Sequence, residues 1–309
     1  MTVPPDHLAY PKRKRGLDHD WFEHRPVRER PKVAWPNEAR IALWITVPVE
    51  FFPLEAPPQP LRPVGGLDRA YPDYWNYAHR DYGNRVGIYR IMRVLDRLGL
   101  RATAPMNAEA ATRYPRLVEE IQRRNWEVAA MSATMATIHH GGLARESERE
   151  VIVGAAATLR RVSGQAVLGW HSPGHSESMA TLELLAESGF SYVMDWINDD
   201  LPYEMRTPAG TIHSLPLTQE LSDRTILLQH EGMIEDYAAQ VNAALRCLED
   251  EAKTYGGRVL SLAVTPWLTG YPHRIGGFAR LLETILAGGS VWPATGIEIL
   301  TAFRAQVAR

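Results

Sequence analysis

The sequence has almost no cysteine, no strong charge of either sign and no long apolar run. Its 309 residues include one cysteine, Cys247, which excludes an intrachain disulfide and a multi-cysteine metal site. The formal net charge of −2 excludes a global basic field that would attract nucleic acid or anionic membranes. No apolar run approaches the roughly 18 residues of a membrane span, and the start lacks the apolar core of a signal peptide. We therefore expect a cytoplasmic protein that binds neither nucleic acid nor membrane, but a small-molecule substrate.

What is present is an alternation of short apolar runs with amphipathic segments. The pattern predicts strands at residues 40–49, 101–105, 127–130, 166–170, 192–196, 212–217, 259–264 and 291–294. It predicts helices at residues 88–98, 115–124, 145–162, 177–188, 234–254, 277–286 and 296–308. About seven such alternations are typical of a parallel sheet with crossover helices. We predict an α/β fold, a distorted β/α barrel of about seven parallel strands.

Two segments fall outside this alternation. Residues 1–37 are rich in proline and arginine, and we predict an N-terminal arm followed by one barrel domain at residues 38–309. The basic run at residues 12–15, KRKR, is typical of a solvated tail rather than a nucleic-acid patch. Residues 50–81 predict a long loop with many proline and aromatic residues, and loops of that length in a compact domain are usually functional.

The first strand is followed by Glu50, not by a phosphate-binding motif. No G-x-G-x-x-G follows that strand and no G-x-x-x-x-G-K-S/T occurs, which argues against nucleotide-binding folds. In β/α barrels the chemistry sits at the carboxyl ends of the strands. A carboxylate directly after an apolar strand is partly desolvated and can act as a general base. The alternative is a structural glutamate paired with an arginine, such as Arg85.

The segment WHSPGHSES places histidines and serines just past another predicted strand. His171 and Ser172 are adjacent, so in extended backbone their side chains point in opposite directions. The nucleophile motif G-x-S-x-G is absent. We interpret His171 as a functional residue, while Ser176 and Ser178 are expected to cap the next helix.

Three further clusters follow strand ends. His139 and His140 adjoin two glycines, and each is either a polar group of the site or a solvated loop histidine. The segment DWINDDLPY contains Asp195 and Asp199, which can orient a polar substrate or a cation, or cap turns. Trp267, which follows Thr265 and a proline, fits either a pocket wall or the core.

Several of these strand ends also resemble a known family. The segments that carry the resemblance are residues 81–87 (DYGNRVG), 126–130 (WEVAA), 169–174 (GWHSPG), 182–189 (LELLAESG), 195–203 (DWINDDLPY) and 214–223 (SLPLTQELSD). They resemble the polysaccharide deacetylase superfamily, and most closely the branch similar to metal-independent allantoinases and cyclic-imide hydrolases. The resemblance implies a distorted β/α barrel, hydrolysis of a C–N bond in an amide or cyclic imide, and often a homo-oligomer.

The metal-related positions of that superfamily are altered here. Its first motif has two acids, whereas this chain has Glu50 followed by Phe51. Its second motif usually begins with a metal-binding histidine, and Met131 holds that place; Thr265 holds the place of a later histidine. A methionine thioether is a poor ligand for a hard or borderline cation. We therefore assign no metal ligands and expect no cofactor.

The leading interpretation is a hydrolase of C–N bonds in a small non-peptide amide, cyclic imide or ureide, working without the usual metal. Glu50 would activate water, His171 would act as acid or polarise a carbonyl, and Ser172 would assist. The residues expected to bind substrate are Arg85, Met131, His139, His140, Trp170, Asp195, Asp199, Thr265 and Trp267. The alternatives are a metal-dependent deacetylase of a carbohydrate-like substrate, a ring-opening lyase or lactone hydrolase, and a non-catalytic small-molecule-binding relative. We expect a homodimer or homotetramer in which the arm crosses the interface.

Overall fold

The structure, a computed structural model, describes residues 19–55 and 72–307 as a curled β-sheet covered by helices. The basic run at residues 12–15 and part of the predicted long loop lie outside the described residues. The strands are β1 (Ile41–Thr46), β2 (Thr103–Met106), β3 (Glu127–Ala130), β4 (Gly169–Trp170), β5 (Tyr192–Val193), β6 (Tyr203–Thr207), β7 (Gly210–Ser214), β8 (Arg258–Ala263) and β9 (Val291–Pro293).

Helices follow most of these strands, as the alternation predicts. They are α1 (Tyr74–Tyr82), α2 (Ile88–Arg97), α3 (Ala108–Arg113), α4 (Pro115–Arg123), α5 (Arg145–Ser163), α6 (Thr181–Glu187), α7 (Ile234–Tyr255), α8 (Pro266–Thr269), α9 (Pro272–Ala287) and α10 (Gly296–Val307). Two π-helical turns, Gly83–Gly87 and Thr225–Gln229, occur next to the site described below. Among the described helices, none is long and apolar enough to cross a membrane.

The strand order confirms the predicted barrel in a half-closed form. The strands run in the order β6-β7-β5-β4-β3-β2-β1-β8, and β9 pairs with β1. All pairings in the described sheet are parallel except that of β6 with β7. The sequence did not predict β6, because its residues alternate between exposed and half-buried with only Met205 buried. The carboxyl ends of the parallel strands therefore meet at one end of the sheet.

A buried polar network crosses the inside of this half-barrel. Trp44 donates to the Thr103 hydroxyl at 2.9 Å, and that hydroxyl donates to Glu127 at 2.8 Å. Tyr192 donates to the other Glu127 oxygen at 2.6 Å. Burial raises the pKa of Glu127, although these hydrogen bonds act in the opposite direction. The interior of the sheet thus contains a buried carboxyl group, that of Glu127 in the segment WEVAA, whose two oxygens are both hydrogen-bonded.

The described part of the N-terminal arm packs on its own chain. The ring of Trp21 lies 5.3 Å from that of Trp196, and the Trp21 carbonyl accepts a hydrogen bond from the Arg206 amide at 2.7 Å. Farther along, the Val33 carbonyl accepts from the amide of Gly257 at 2.7 Å. The arm therefore adds a strap along the β6–β7 hairpin and the start of β8.

Candidate active site

Glu50 lies at the carboxyl end of the β1 segment and is 6% exposed. Its Oε2 forms an ion pair with the guanidinium of Arg224 and accepts a hydrogen bond from Trp267 Nε1 at 2.9 Å. The Arg224 guanidinium also lies 5.1 Å from the centre of the Trp267 ring. The buried carboxylate therefore has a fixed orientation and a positive partner, and Trp267 lies in direct contact with it.

The arginine beside Glu50 is Arg224 and not Arg85, the example that we considered from the sequence. The Arg85 side chain is 75% exposed, and its ion-pair partner is Asp81 at 3.7 Å. Arg85 and Asp81 are one helical turn apart, so this exposed pair contributes little to stability. The structure thus does not bring Arg85 to Glu50, and its predicted role in binding substrate has no geometric support.

The segment DYGNRVG holds the backbone around Glu50. Asn84 donates its side-chain amide to the Glu50 carbonyl at 2.7 Å. The glycines of the motif permit a close approach, because a Cβ at Gly87 would lie 2.0 Å from the carbonyl oxygen of Pro266. A π-helical turn over Gly83–Gly87 therefore packs directly against the turn that carries Trp267. The motif positions both the carboxylate and its indole donor.

Asp223, which the sequence analysis did not single out, lies beneath this pair. Its Oδ2 accepts hydrogen bonds from the Thr265 amide at 2.7 Å and the Thr269 hydroxyl at 2.6 Å. Burial raises its pKa to about 6. Arg224 Nε donates to Thr265 Oγ1 at 3.0 Å. Asp223 thus fixes the turn after β8, and Arg224, the next residue along the chain, pairs with Glu50.

The metal-related positions do not fit a cation. The ring of Phe51 lies 4.6 Å from the Arg113 guanidinium, and Met131 is buried. Thr265 uses its hydroxyl to accept from Arg224. A guanidinium therefore supplies the positive charge beside Glu50, and the residues around it offer no ligand set for a metal.

A second polar centre forms where β4 and β5 end. His171 Nδ1 lies 3.0 Å from Asp195 Oδ1, and the same oxygen accepts from the Ser172 amide at 2.8 Å. Burial acts to raise the pKa of Asp195, but the His171 hydrogen bond and the neighbouring histidines outweigh it and lower that pKa. An ionised Asp195 therefore orients the imidazole of His171, which is 14% exposed in its side chain.

Two more titratable groups surround this centre. The rings of His171 and His175 lie 4.7 Å apart. Burial, with a smaller contribution from His171, lowers the pKa of His175 to about 4. Burial and the adjacent Asp195 raise the pKa of Glu177 well above its usual range. His175 is therefore neutral near pH 7, and burial favours the neutral form of Glu177, whereas the neighbouring histidines favour the charged form of Asp195.

The loop after β7 connects the two centres. Gln219 Oε1 lies 3.2 Å from His175 Nε2, and Gln219 Nε2 donates to Thr225 Oγ1 at 3.3 Å. Arg224, which pairs with Glu50, lies in that same loop. The amide of His171 also bonds to the carbonyl of Ala130 at 2.9 Å, one strand nearer to Glu50. Both centres thus occupy the same end of the sheet, Glu50 after β1 and His171 after β4, with β2 and β3 between them.

Three predicted site residues are buried supports. Trp170 donates to Ser172 Oγ at 2.9 Å, and both residues are fully buried. His139 is fully buried, with Nδ1 3.0 Å from Glu148 and Nε2 3.2 Å from Ser132. Burial opposes ionisation of Glu148, but hydrogen bonds led by that of His139 outweigh it and lower its pKa. The geometry gives these residues supporting positions rather than contact with substrate, which corrects the prediction for His139, Ser172 and Trp170.

The remaining predicted residues lie at the periphery. His140 is exposed, and its Nδ1 accepts from the Gly142 amide at 3.1 Å. The hydroxyl of Ser178 donates to Glu148 at 2.5 Å and accepts from the amide of Ala180, one residue before α6, at 2.9 Å; α6 itself has no side-chain cap, so the predicted cap is wrong. These two side chains serve the local loops around the second centre.

Asp199 belongs to a different region. It pairs with Arg30 of the arm and lines a cavity of about 590 Å³ between the arm and the β6–β7 hairpin. Neither Glu50 nor His171 lines that cavity. The buried carboxylate, its cationic partner and the oriented imidazole lie instead at the strand ends, where the chemistry of β/α barrels usually occurs.

Comparisons with known proteins agree with this architecture. Residues 80–193 match the model of the family described as "Polysaccharide deacetylase". A protein of Schizosaccharomyces pombe named as a polysaccharide deacetylase is 24% identical over 316 residues, which cover 91% of this chain and 95% of that protein. Part of the chain thus matches the polysaccharide deacetylase family model, and the predicted resemblance to that superfamily is confirmed.

Solved structures show the same fold. The crystal structure of PuuE allantoinase superposes with a TM-score of 0.79 at 23% identity, covering 91% of this chain and 97% of that one. A Pseudomonas aeruginosa PAO1 structure named as a polysaccharide deacetylase superposes with a TM-score of 0.77 at 24% identity, covering 90% and 95%. The chain has the polysaccharide-deacetylase-like β/α barrel fold.

Proposed function

We propose that this chain hydrolyses a C–N bond in a small non-peptide amide, cyclic imide or ureide, without a metal at the usual superfamily positions. The observation that supports the proposal is the pairing of two complementary centres at one end of the sheet. One is the Glu50 carboxylate held by Arg224 and Trp267. The other is the His171 imidazole held by Asp195. The relatives named as deacetylases and as an allantoinase support the same class of reaction.

In this proposal Glu50 is the general base. Arg224 and Trp267 both bind Oε2, so Oε1 is the oxygen that can accept the proton of an attacking water. The water oxygen bonds to the carbonyl carbon as that proton moves to Glu50. Because the Arg224 guanidinium is fixed by Thr265, the carboxylate is oriented before substrate arrives.

His171 is the general acid. Its Nδ1–H is donated to Asp195, so in the protonated imidazolium the remaining proton lies on Nε2. As the C–N bond breaks, Nε2 gives that proton to the leaving nitrogen. Glu50 and His171 then exchange protons with water, and the acid and amine products balance the water consumed. Trp267, which donates to Glu50 Oε2, is the proposed substrate contact, whereas Met131 is 1% exposed and is a buried support like Trp170.

The assignment of His171 is tested by varying the leaving group. His171→Gln should slow hydrolysis of an alkyl amide far more than that of an anilide carrying an electron-withdrawing ring, because the better leaving group needs less protonation. His230→Gln, at an exposed histidine outside the site, is the matched control and should leave both rates unchanged. An equal loss for both substrates in His171→Gln would show that His171 is not the acid.

One observation favours a second candidate, a non-catalytic small-molecule-binding relative. The ion pair of Glu50 with Arg224 is the arrangement expected for a structural glutamate. Binding of cyclic imides or ureides without any turnover would support that candidate. Measurable turnover that depends on Glu50 would exclude it.

A further inference from the structure

We propose that His171, His175 and Asp195 form a binding site for one divalent transition-metal ion, separate from the usual metal positions of the superfamily. We further propose that zinc bound there inhibits the enzyme, because it occupies the imidazole that acts as the general acid. The inhibition rests on the proposed function, whereas the binding does not.

The three side chains already lie close to the spacing that a metal requires. Their ligand atoms all lie within 4.8 Å of one another. Asp195 Oδ1 is 3.0 Å from His171 Nδ1 and 4.0 Å from His175 Nδ1. Ligands on a tetrahedral zinc with bonds of about 2.1 Å are about 3.4 Å apart. The observed distances of 3.0 Å and 4.0 Å lie on both sides of that value, so small side-chain rotations would bring the three ligand atoms to the spacing of a tetrahedral site.

Two atoms of the cluster lack partners in the described structure. His175 Nδ1 and Asp195 Oδ2 are buried and have no hydrogen-bond partner by geometry; the Glu177 carboxyl beside Asp195 can donate to that aspartate only while it is protonated. The Asp195 side chain is 1% exposed. Buried polar atoms in folded proteins are nearly always bonded, so each exception requires an explanation. A cation between these atoms would satisfy both.

The local backbone and charge also favour a cation. Gly174 and His175 both have positive φ values, of 67° and 53°, which turn the chain back and place the His175 ring over His171. Within the described part of the chain, the ion-pair partners of Asp195 are these two histidines, and no lysine or arginine pairs with it. The cluster therefore combines two imidazoles with one buried carboxylate that has no permanent cationic partner.

The chemistry of the donor set selects the ion. Two imidazole nitrogens and one carboxylate oxygen suit zinc, cobalt or nickel, whereas magnesium and calcium prefer oxygen ligands alone. The side chains of His171 and His175 are 14% and 24% exposed, so water can complete the coordination. A metal bound to His171 removes its capacity to donate a proton.

The test uses the full chain after chelator treatment and dialysis. We expect titration with cobalt(II) to yield one bound ion per chain, with the visible absorption of a tetrahedral nitrogen–oxygen site, and zinc to displace it. His175→Gln should weaken cobalt binding at least ten- to hundredfold, the range known for lesser changes around metal sites. His230→Gln, at an exposed histidine, should bind as the wild type does.

A zinc-soaked crystal of the wild type provides a test that needs no variant. Anomalous scattering should place the ion between His171, His175 and Asp195. An ion located elsewhere, the absence of cobalt binding, or a His175→Gln variant that binds normally would overturn the site.

The activity measurement is kept separate from binding. Zinc at a saturating concentration should lower turnover at least tenfold in the wild type, and chelator should restore it. Binding at the cluster without inhibition would refute the inhibitory role and the use of His171 as acid, while leaving the site itself established. Inhibition without binding at the cluster would overturn the proposal.

Discussion

Replacing Glu50 by glutamine perturbs the proposed base while keeping its size. The amide cannot accept the proton of water, so we expect turnover to fall on the order of a hundred- to ten-thousandfold. The amide oxygen can still accept from Trp267, which the carboxylate does at 2.9 Å. The fall in turnover would therefore result mainly from the lost proton transfer and not from a lost hydrogen bond with Trp267.

The structure adds a stability cost that the sequence did not predict. Glutamine leaves the Arg224 guanidinium without its carboxylate in a site where Glu50 is 6% exposed and the Arg224 side chain is 20% exposed. Breaking a fully buried pair from one side costs about 3–5 kcal/mol. Because Arg224 reaches solvent and can be partly rehydrated, we expect about 1–3 kcal/mol here. Glu50→Gln should therefore lower thermal stability as well as turnover.

The matched variant is Arg224→Gln, which breaks the same ion pair but keeps the carboxylate. Both variants should lose similar unfolding free energy by urea titration, whereas Glu50→Gln should lose much more turnover at a temperature where both are folded. Steady-state kinetics at that temperature measure the difference. If Glu50→Gln works within a few-fold of the wild type, Glu50 is structural and the base must be sought around His171.

Further predictions concern pH, packing and assembly. Burial lowers the pKa of His213 from 6.5 to about 4, so its contribution to stability is complete above pH 6.5 and falls by at most about 3 kcal/mol as pH drops to 4. His213→Gln should flatten this slope in urea titrations across that range, and an unchanged slope would contradict the assignment. Gly87→Ala, whose Cβ would lie 2.0 Å from the Pro266 carbonyl oxygen, should lower the free energy of unfolding by about 1–3 kcal/mol. The control Gly154→Ala, whose Cβ would contact no other atom within 4 Å, should not destabilise the chain. Equal melting temperatures of the two variants would refute the close contact at Gly87. Sedimentation at micromolar concentration should detect a dimer or tetramer that dissociates when residues 1–37 are removed, and a wild-type monomer would exclude it.

The fold was predictable because its strands are short, apolar and regularly spaced. The segment of β1, for example, is an almost continuous apolar run, and such runs are typical of parallel strands that are buried on both faces of the sheet. The antiparallel β6 was missed because Glu204 and Arg206 alternate with its one buried residue, a pattern shared by exposed loops. The helix predicted from residue 177 begins only at Thr181, because the hydroxyls of Ser178 and Thr181 both donate to Glu148 and hold the preceding residues in a turn.

The site was predictable only in part. Glu50, Trp267, His171 and Asp195 make polar contacts at strand ends, since parallel strands deliver their following residues to one end of the sheet. Arg224 was missed because it pairs across 174 residues with Glu50, and no local pattern identifies such a partner. The roles of loop histidines could not be predicted, because sequence does not distinguish an exposed imidazole such as that of His140 from one enclosed by a carboxylate such as that of His139.

The central claim is that C–N bond hydrolysis occurs at Glu50 and His171 without the usual metal. The most direct measurement is a turnover screen of cyclic imides, lactams, lactones and ureides, run with and without chelator. We expect hydrolysis of an imide, amide or ureide that chelator does not reduce and that Glu50→Gln loses. Turnover that disappears with chelator and returns with added metal would contradict the claim, as would ligand binding without any turnover.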